Sequence, residues 1–202
     1  MTTILQILVS PRPQAYSRQF AGEVVARILA RHPGAELITR DLAAEPPPHP
    51  DLALYNAILT PTAGPEHPDF ALSERYIGEL EAADWVVIGT PMNNFTVPST
   101  LKAWIDHIVR IRRTFRSTPE GKIGMLRDRP LIVVTAHGGY VTIPPTQPDH
   151  LTDYVRIVFE TIGIPSVEFV RLEGMSRGPE SVARATDAAR GWLARRLPEL
   201  IG

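Results

Sequence analysis

The chain is 202 residues long and 44% hydrophobic, enough for one ordinary domain with one core. Its 21 basic and 22 acidic side chains leave a formal net charge of -1, which excludes the broad cationic surface of a protein built to bind nucleic acid or an anionic membrane. Cysteine is absent, which rules out disulfides, thiolate catalysis and cysteine-ligated zinc or iron–sulfur sites and points to a reducing compartment, the cytoplasm.

After Met1-Thr2-Thr3 the sequence enters an apolar run without the basic segment of a signal peptide, and that run predicts a first strand over 4–9. The first helix is expected over 17–31, with Ser17 as its N-cap, and a second strand over 35–40. From Ala43 to Pro68 an irregular stretch holds seven of the 20 prolines and reads as a long surface excursion with one turn of helix at Asp51–Ile58. It is too short to separate two cores, so residues 1–202 are read as a single domain. A helix over 70–82 and a strand over 84–90 follow, the strand stopping at Pro91. Pro98 stands where the next helix, 97–110, begins, and Leu101, Trp104, Ile105 and Ile108 supply its apolar face. The remaining elements are a strand over 130–136, a helix over 150–162, a strand over 166–172 and a helix over 179–197. Five strands alternating with helices predict an α/β fold, a parallel sheet covered by helices on both faces. No apolar run approaches the ~20 residues of a membrane span.

In an open sheet of this kind ligands bind beyond the carboxyl ends of the strands, and three loops are expected to converge there. The first is Ser10-Pro-Arg-Pro-Gln-Ala-Tyr-Ser17, which leads into a helix whose open amides and positive dipole end, with the hydroxyls of Ser10 and Ser17, form a phosphate seat; a capped helix without ligand is the plain alternative. The second, Pro91-Met-Asn-Asn-Phe95, sets apolar and aromatic surface beside two amides, a mixture that suits a flat heteroaromatic ring with a polar edge. The third is Thr135-Ala-His-Gly-Gly-Tyr140. Its paired glycines let backbone approach a ligand, and His137 and Tyr140 add polar and stacking contacts, although Gly-Gly alone also marks an ordinary tight turn.

Other patterns are excluded on chemistry. Neither a Walker A sequence nor G-x-G-x-x-G follows any strand. Gly174-Met-Ser-Arg-Gly178 matches G-x-S-x-G, but the last histidine is His150, so no base follows in the order an α/β-hydrolase requires. Asn94-Phe-Thr96 is a glycosylation sequon with no meaning in a protein that is not secreted. The six histidines show no i, i+4 pairing or neighbouring carboxylate set, so no metal site is expected, and His107 reads as a partly buried polar residue. The segment Arg110-Ile-Arg-Arg-Thr-Phe-Arg116 reads first as a solvated face or a complement to a helix dipole, and second as a grip on an anionic substrate. Nucleic acid is the weaker partner for it, since no aromatic residues interleave a wider basic surface.

Several blocks resemble one family. Arg40-Asp-Leu-Ala-Ala44, Gly89-Thr-Pro-Met-Asn-Asn-Phe95, Leu101-Lys-Ala-Trp-Ile-Asp106, Thr114-Phe-Arg116, His137-Gly-Gly139 and Gly163-Ile-Pro-Ser-Val-Glu-Phe169 are similar, in order, to blocks of the FMN-dependent NADH-azoreductases and quinone reductases. The resemblance implies a flavodoxin-like fold with strand order 2-1-3-4-5, one noncovalent FMN per protomer, and a homodimer whose active sites lie at the subunit interface. It also implies a ping-pong cycle in which NADH or NADPH reduces the flavin and leaves before a quinone or azo compound takes two electrons. By motif, Ser10 and Ser17 hold the phosphate beside Ala15 and Tyr16; Pro91, Met92, Asn93, Asn94 and Phe95 lie along the isoalloxazine; and Ala136, His137, Gly138 and Gly139 meet its pyrimidine side. Asn93, Phe95, Arg112 and Tyr140 face the substrate, no side chain acts as catalyst because flavin N5 carries the chemistry, and no metal is needed.

This sequence departs from the family pattern at four places. The first loop is one residue short, with Ala15 in place of a serine; Asn93 replaces an aromatic residue; Arg112 replaces a small glycine; and His137 replaces an arginine. A general NADPH-dependent FMN or nitroaromatic reductase is the neighbouring alternative. From another class comes a flavodoxin-like electron carrier without turnover, against which the basic segment and the modest net charge speak.

Overall fold

The computed structural model describes residues 1–142 and 144–201. In chain order these form β1 (Thr3–Leu8), α1 (Tyr16–Arg31), β2 (Glu36–Asp41), α2 (Leu52–Leu59), a short turn of 3-10 helix (Pro68–Phe70), α3 (Ala71–Ala82), β3 (Trp85–Pro91), α4 (Ser99–Ile108), β4 (Phe115–Thr118), β5 (Gly121–Gly124), β6 (Leu131–Ala136), α5 (Thr152–Ile162), β7 (Val167–Leu172) and α6 (Pro179–Ile201). The main sheet runs β2-β1-β3-β6-β7, parallel throughout, which is the expected 2-1-3-4-5 order once the separate hairpin β4–β5 is set aside.

Alternation along the central strands divides the apolar side chains between two layers. Leu5, Ile7, Val86, Ile88, Leu131 and Val133 pack with α3, α4 and α5 on one face, where Leu101, Trp104, Ile105 and Ile108 are buried as their spacing predicts. Ile4, Trp85, Val87, Ile132 and Val134 pack with α1 and α6 on the other. β3 is therefore buried on both sides, and it reads in sequence as a continuous apolar run rather than an alternating one.

Gly89 controls how α1 meets the sheet. A Cβ there would lie 2.6 Å from the Ser17 carbonyl oxygen and 2.9 Å from the Ala21 methyl, so only hydrogen lets the first turns of α1 rest directly on β3. This contact carries the helix N-terminus to the carboxyl edge of the sheet.

Several boundaries and one motif differ from expectation. α4 is two residues shorter at each end than 97–110, because Pro98 is extended at ψ 152° and serves as N-cap and because the chain leaves helical geometry at Val109. α6 continues through Pro198 to Ile201, held by Leu193 and Leu197 buried against the α1 layer. In the excursion, the expected single turn is a helix of 8 residues, α2, capped by Asp51, whose carboxylate accepts from the Leu54 amide at 2.9 Å. His107 is buried and its Nε2 lies 3.0 Å from the Pro48 carbonyl oxygen, tying the excursion to α4. The hairpin β4–β5 was not expected; it docks where Leu126 N donates to the Ile162 carbonyl at 3.0 Å, and a side chain at Gly124 would collide with the Gly163 backbone.

The basic segment is neither a solvated face nor a substrate grip over most of its length. Arg110 is buried, bonded to Ser73 Oγ at 2.9 Å and paired with Glu74, its guanidinium 4.0 Å from the centre of the Phe70 ring. Burial pushes its pKa down while Glu74 opposes that shift. Arg113 pairs with Glu81 and Glu74, which raise its pKa, and Arg116 alone of these three is exposed. Arg129, 3% exposed, donates to the carbonyls of Leu80, Glu81 and Ala83 and so satisfies the C-terminal end of α3. Among the described residues no helix is long and apolar enough to cross a membrane.

Candidate functional site

Register brings the three loops together. Leu8 of β1 lies opposite Gly89 of β3, and Pro91 of β3 opposite Ala136 of β6, so the chain leaves all three strands at one edge. Backbone bonds tie them further, Val9 N to Gly89 O at 3.0 Å and Met92 N to Ala136 O at 2.9 Å.

In the first loop the helix starts one residue earlier than expected. Ala15, extended at φ -62° and ψ 134°, is the N-cap and offers no side-chain bond, so Ser17 is the second helical residue and not the cap. The amides of Tyr16 and Ser17 therefore lack a carbonyl four residues back, and no acidic side chain occupies the first turn. Ser17 is fully buried, its hydroxyl without a hydrogen-bond partner. Ser10 is 4% exposed and its Oγ accepts from the Arg12 amide at 3.3 Å. Arg18 donates to the Ser10 carbonyl at 2.8 Å and pairs with Asp41 at the end of β2. That pairing, with the Ala43 and Ala44 amides, holds the Asp41 carboxyl below the usual carboxylate range. A cation in the first turn of a helix opposes the helix dipole, and this is the sequence signal that something else at the N-terminus needs positive charge. Open amides, an orphaned hydroxyl and a nearby guanidinium fit a phosphate monoester.

The second loop is a tight turn. Asn93 and Thr96 exchange both backbone bonds at 3.0 Å, and the two residues between them, Asn94 at φ 48° and Phe95 at φ 72°, are both left-handed, the signature of a type I′ turn. Asparagine tolerates that region; phenylalanine does so at a cost of about 1–2 kcal/mol. Phe95 is nevertheless 47% exposed, so the strain presents an aromatic ring at the edge of the crevice instead of burying it in the core. Beside it, Asn93, Asn94, Val97, Lys102 and Tyr154 line a cleft of about 460 Å³.

The third loop departs from expectation in detail. Neither Gly138 nor Gly139 has positive φ. The atoms that approach Gly139 are the ends of two side chains: a Cβ there would lie 2.7 Å from Gln147 Oε1 and 2.9 Å from Thr146 Oγ1 and would displace them. The carbonyls of His137, Gly138 and Gly139 accept from the amides of Met175, Ser176 and Gly174, so the G-x-S-x-G segment props up the glycine loop. Sequence reasoning dismissed this segment as a failed hydrolase motif. Residues 147–150 lie against the second loop, with Gln147 Nε2 3.4 Å from Met92 Sδ and the His150 amide donating to the Phe95 carbonyl at 2.9 Å.

Three residues expected near the ligand make contacts within the chain. The His137 ring is 0% exposed, with Nε2 2.7 Å from Thr135 Oγ1 and Nδ1 unpartnered; burial pushes its pKa below the usual 6.5. Arg112 stands at φ 65°, in the left-handed region that favours glycine, and its guanidinium donates to the carbonyls of Ile58 at 2.6 Å and Thr60 at 3.3 Å at the end of α2. Arg112 therefore anchors the excursion. Tyr140 points to α6, its hydroxyl 2.8 Å from Ser181 Oγ.

A family model described as flavodoxin-like fold matches residues 2–197. A protein of Cupriavidus pinatubonensis called FMN-dependent NADH:quinone oxidoreductase 2 is 52% identical over 197 residues, covering 95% of this chain and 96% of that protein. The chain belongs to the FMN-dependent NADH:quinone oxidoreductase family. A second family member, FMN-dependent NADH:quinone oxidoreductase 4 of Pseudomonas fluorescens, is 44% identical, covering 96% of this chain and 95% of that one. Among solved structures, an azoreductase from Bacillus anthracis superposes with a TM-score of 0.85 at 27% identity, covering 96% of this chain and 98% of the other.

Two outcomes follow from this geometry. Because Phe95→Ala and Phe95→Gly both delete the ring but only glycine relieves the positive φ, chemical denaturation should find Phe95→Gly more stable than Phe95→Ala by about 1 kcal/mol; equal stabilities would refute the strain. Since the native His137 resists protonation, the unfolded chain binds more protons as pH falls below 6.5, and stability drops there. Between pH 7.5 and 5.5 the wild type should therefore lose more stability than His137→Gln, whereas parallel losses would assign the pH dependence elsewhere.

Proposed function

We propose that this protein is an FMN-dependent oxidoreductase that passes two electrons from NADH to quinones, with azo compounds as further acceptors and a ping-pong order of substrates. The observation that carries the cofactor assignment is the uncapped start of α1 at the carboxyl edge of the sheet, where the buried Ser17 hydroxyl has no partner and the first amides of the helix have no side-chain cap. Family membership supports the same reading. Residues 1–202 act as one FMN-binding unit.

Ser10, Ser17 and the amides of Tyr16 and Ser17 would hold the phosphate, with the Arg18–Asp41 pair fixing the Ser10 carbonyl. Pro91 to Phe95 would supply one wall for the ring, and Ala136 to Gly139 the edge that meets its pyrimidine. Bound there, FMN supplies the redox chemistry, taking up two electrons from a nicotinamide nucleotide and releasing them to the acceptor.

The chain's own residues then have limited tasks. Asn93 and Asn94 are exposed and carry amide donors that can bond the carbonyl oxygens of a quinone, while Phe95 offers a face for its ring. The fully buried His137 ring is engaged with Thr135 and takes no direct part in proton transfer to substrate. Gln147 and His150 hold the β6–α5 connection over Met92 and Phe95, which limits water at the crevice. Binding and orientation are the protein's contribution. A second copy of the chain would close the open side beside Phe95.

If donor and acceptor use this one crevice in turn, steady-state rates of the FMN-loaded protein with NADH and a benzoquinone should give parallel double-reciprocal lines. Intersecting lines would show a ternary complex and overturn the shared crevice. An absence of NADH oxidation would overturn the enzymatic reading itself.

A further inference from the structure

A second cleft, of about 280 Å³, opens on the far side of the glycine loop, lined by Tyr140, Thr142, Arg171, Glu173, Ser181 and Arg184. Its volume is close to the ~300 Å³ lower end of small-molecule sites. Tyr140 joins this cleft to the glycine loop, since it follows Gly139 directly and its ring, with Ser181, lies against Gly174.

The charge of this cleft is unbalanced. Its one lining carboxylate, Glu173, is already committed: Oε2 accepts from the Val141 amide at 3.1 Å, the Thr142 amide at 3.2 Å and the Thr142 hydroxyl at 2.9 Å. Against it stand Arg171 and Arg184 in the lining and Arg177 nearby, and among the described residues none of the three is in a salt bridge. Arg18, Arg40, Arg110 and Arg113, by contrast, are each neutralised by a carboxylate. Arg171 is preorganised, stacked 5.4 Å from the centre of the Phe169 ring. The Tyr140 hydroxyl is held below the usual tyrosine range by hydrogen bonds from Ser181 and Arg184 and by the charges of Arg184 and Arg177, so this wall too favours negative charge. Two guanidinium groups in the lining, and a third near enough for its charge to act on Tyr140, against one committed carboxylate suit a diphosphate, whose oxygens accept paired donors from arginine.

The proposed reaction requires a dinucleotide whose nicotinamide reaches the crevice and whose diphosphate and adenosine must lie outside it. We propose that the cleft between Tyr140, Arg171 and Arg184 seats the diphosphate of the nicotinamide cosubstrate, with Arg177 and Arg184 as its recognition residues. This assignment rests on the FMN reading given above. It places the two substrates' anchoring on different elements: the acceptor on the β3–α4 loop, and the donor's anionic arm at the start of α6.

Calorimetric titration of the FMN-loaded protein with ADP, which carries the diphosphate and adenosine but no nicotinamide, tests the assignment without relying on turnover. ADP should bind, and Arg184→Ala and Arg177→Ala should each weaken it about tenfold, the loss of one charge-assisted hydrogen bond. Arg184→Lys should recover part of that loss. Both residues are exposed on the surface, so melting curves of the variants should match the wild type. In turnover, the same variants should raise KM for NADH about tenfold while FMN still binds. Failure to load FMN would defeat the underlying reading. An FMN-loaded protein that ignores ADP, or binds it equally well in the variants, would overturn the diphosphate seat alone. So would variants that raise KM for a sulfonated azo dye and leave KM for NADH unchanged, because the arginines would then serve an anionic acceptor.

Discussion

The contact of α1 with β3 at Gly89 is the constraint from which the arrangement of the crevice follows. Without a side chain there, the backbone at Ser17 lies on the strand, and the helix N-terminus comes to rest at the carboxyl edge of the sheet. A Cβ would meet a carbonyl oxygen and the Ala21 methyl, atoms that move only with the helix itself. The same contact explains why Ser17 is fully buried while its hydroxyl stays unpartnered. Arg18 then locks the loop from the other side through Ser10 and Asp41, and places positive charge where helix dipole alone would disfavour it.

The remaining two loops are held by mutual bonding instead of by regular structure. The type I′ turn at Asn94–Phe95 is strained, yet it persists because Met92 is bonded to Ala136, the Phe95 carbonyl accepts from His150, and Gln147 reaches Met92. The glycine loop in turn depends on the amides of residues 174–176. Strain at an exposed aromatic residue, supported by bonds that bring no apolar burial of their own, is the pattern expected where a ring must be presented to a ligand.

Much of this is legible in the sequence because the central strands β1, β3 and β6 are buried on both faces and so read as short apolar runs, and because Pro91 and Pro98 mark where β3 stops and α4 begins. The hairpin β4–β5 escaped notice since its strands have four residues each and are largely exposed, which leaves no period to detect. Ser17 was misread as a cap because serine's preference for that position is a local signal, and the Gly89 contact that overrides it is distant in sequence. Arg110 and Arg113 were misread for a similar reason: their partners Glu74 and Glu81 lie on α3, and only the fold brings that helix alongside. The bonds of Arg112 to the end of α2 are likewise invisible in sequence, because 52 to 54 residues separate it from Ile58 and Thr60.

FMN and riboflavin differ only in the phosphate, so their dissociation constants for the purified apoprotein, read from quenching of flavin fluorescence, isolate what the start of α1 contributes. If the two open amides and the Ser17 hydroxyl hold one anion, FMN should bind at least about a hundredfold more tightly than riboflavin, the yield of two charge-assisted hydrogen bonds at ~1.5 kcal/mol each. Ser17→Ala should narrow that gap by about tenfold through FMN alone. Equal affinities for the two flavins in the wild type would contradict the account, since the helix N-terminus would then hold no phosphate.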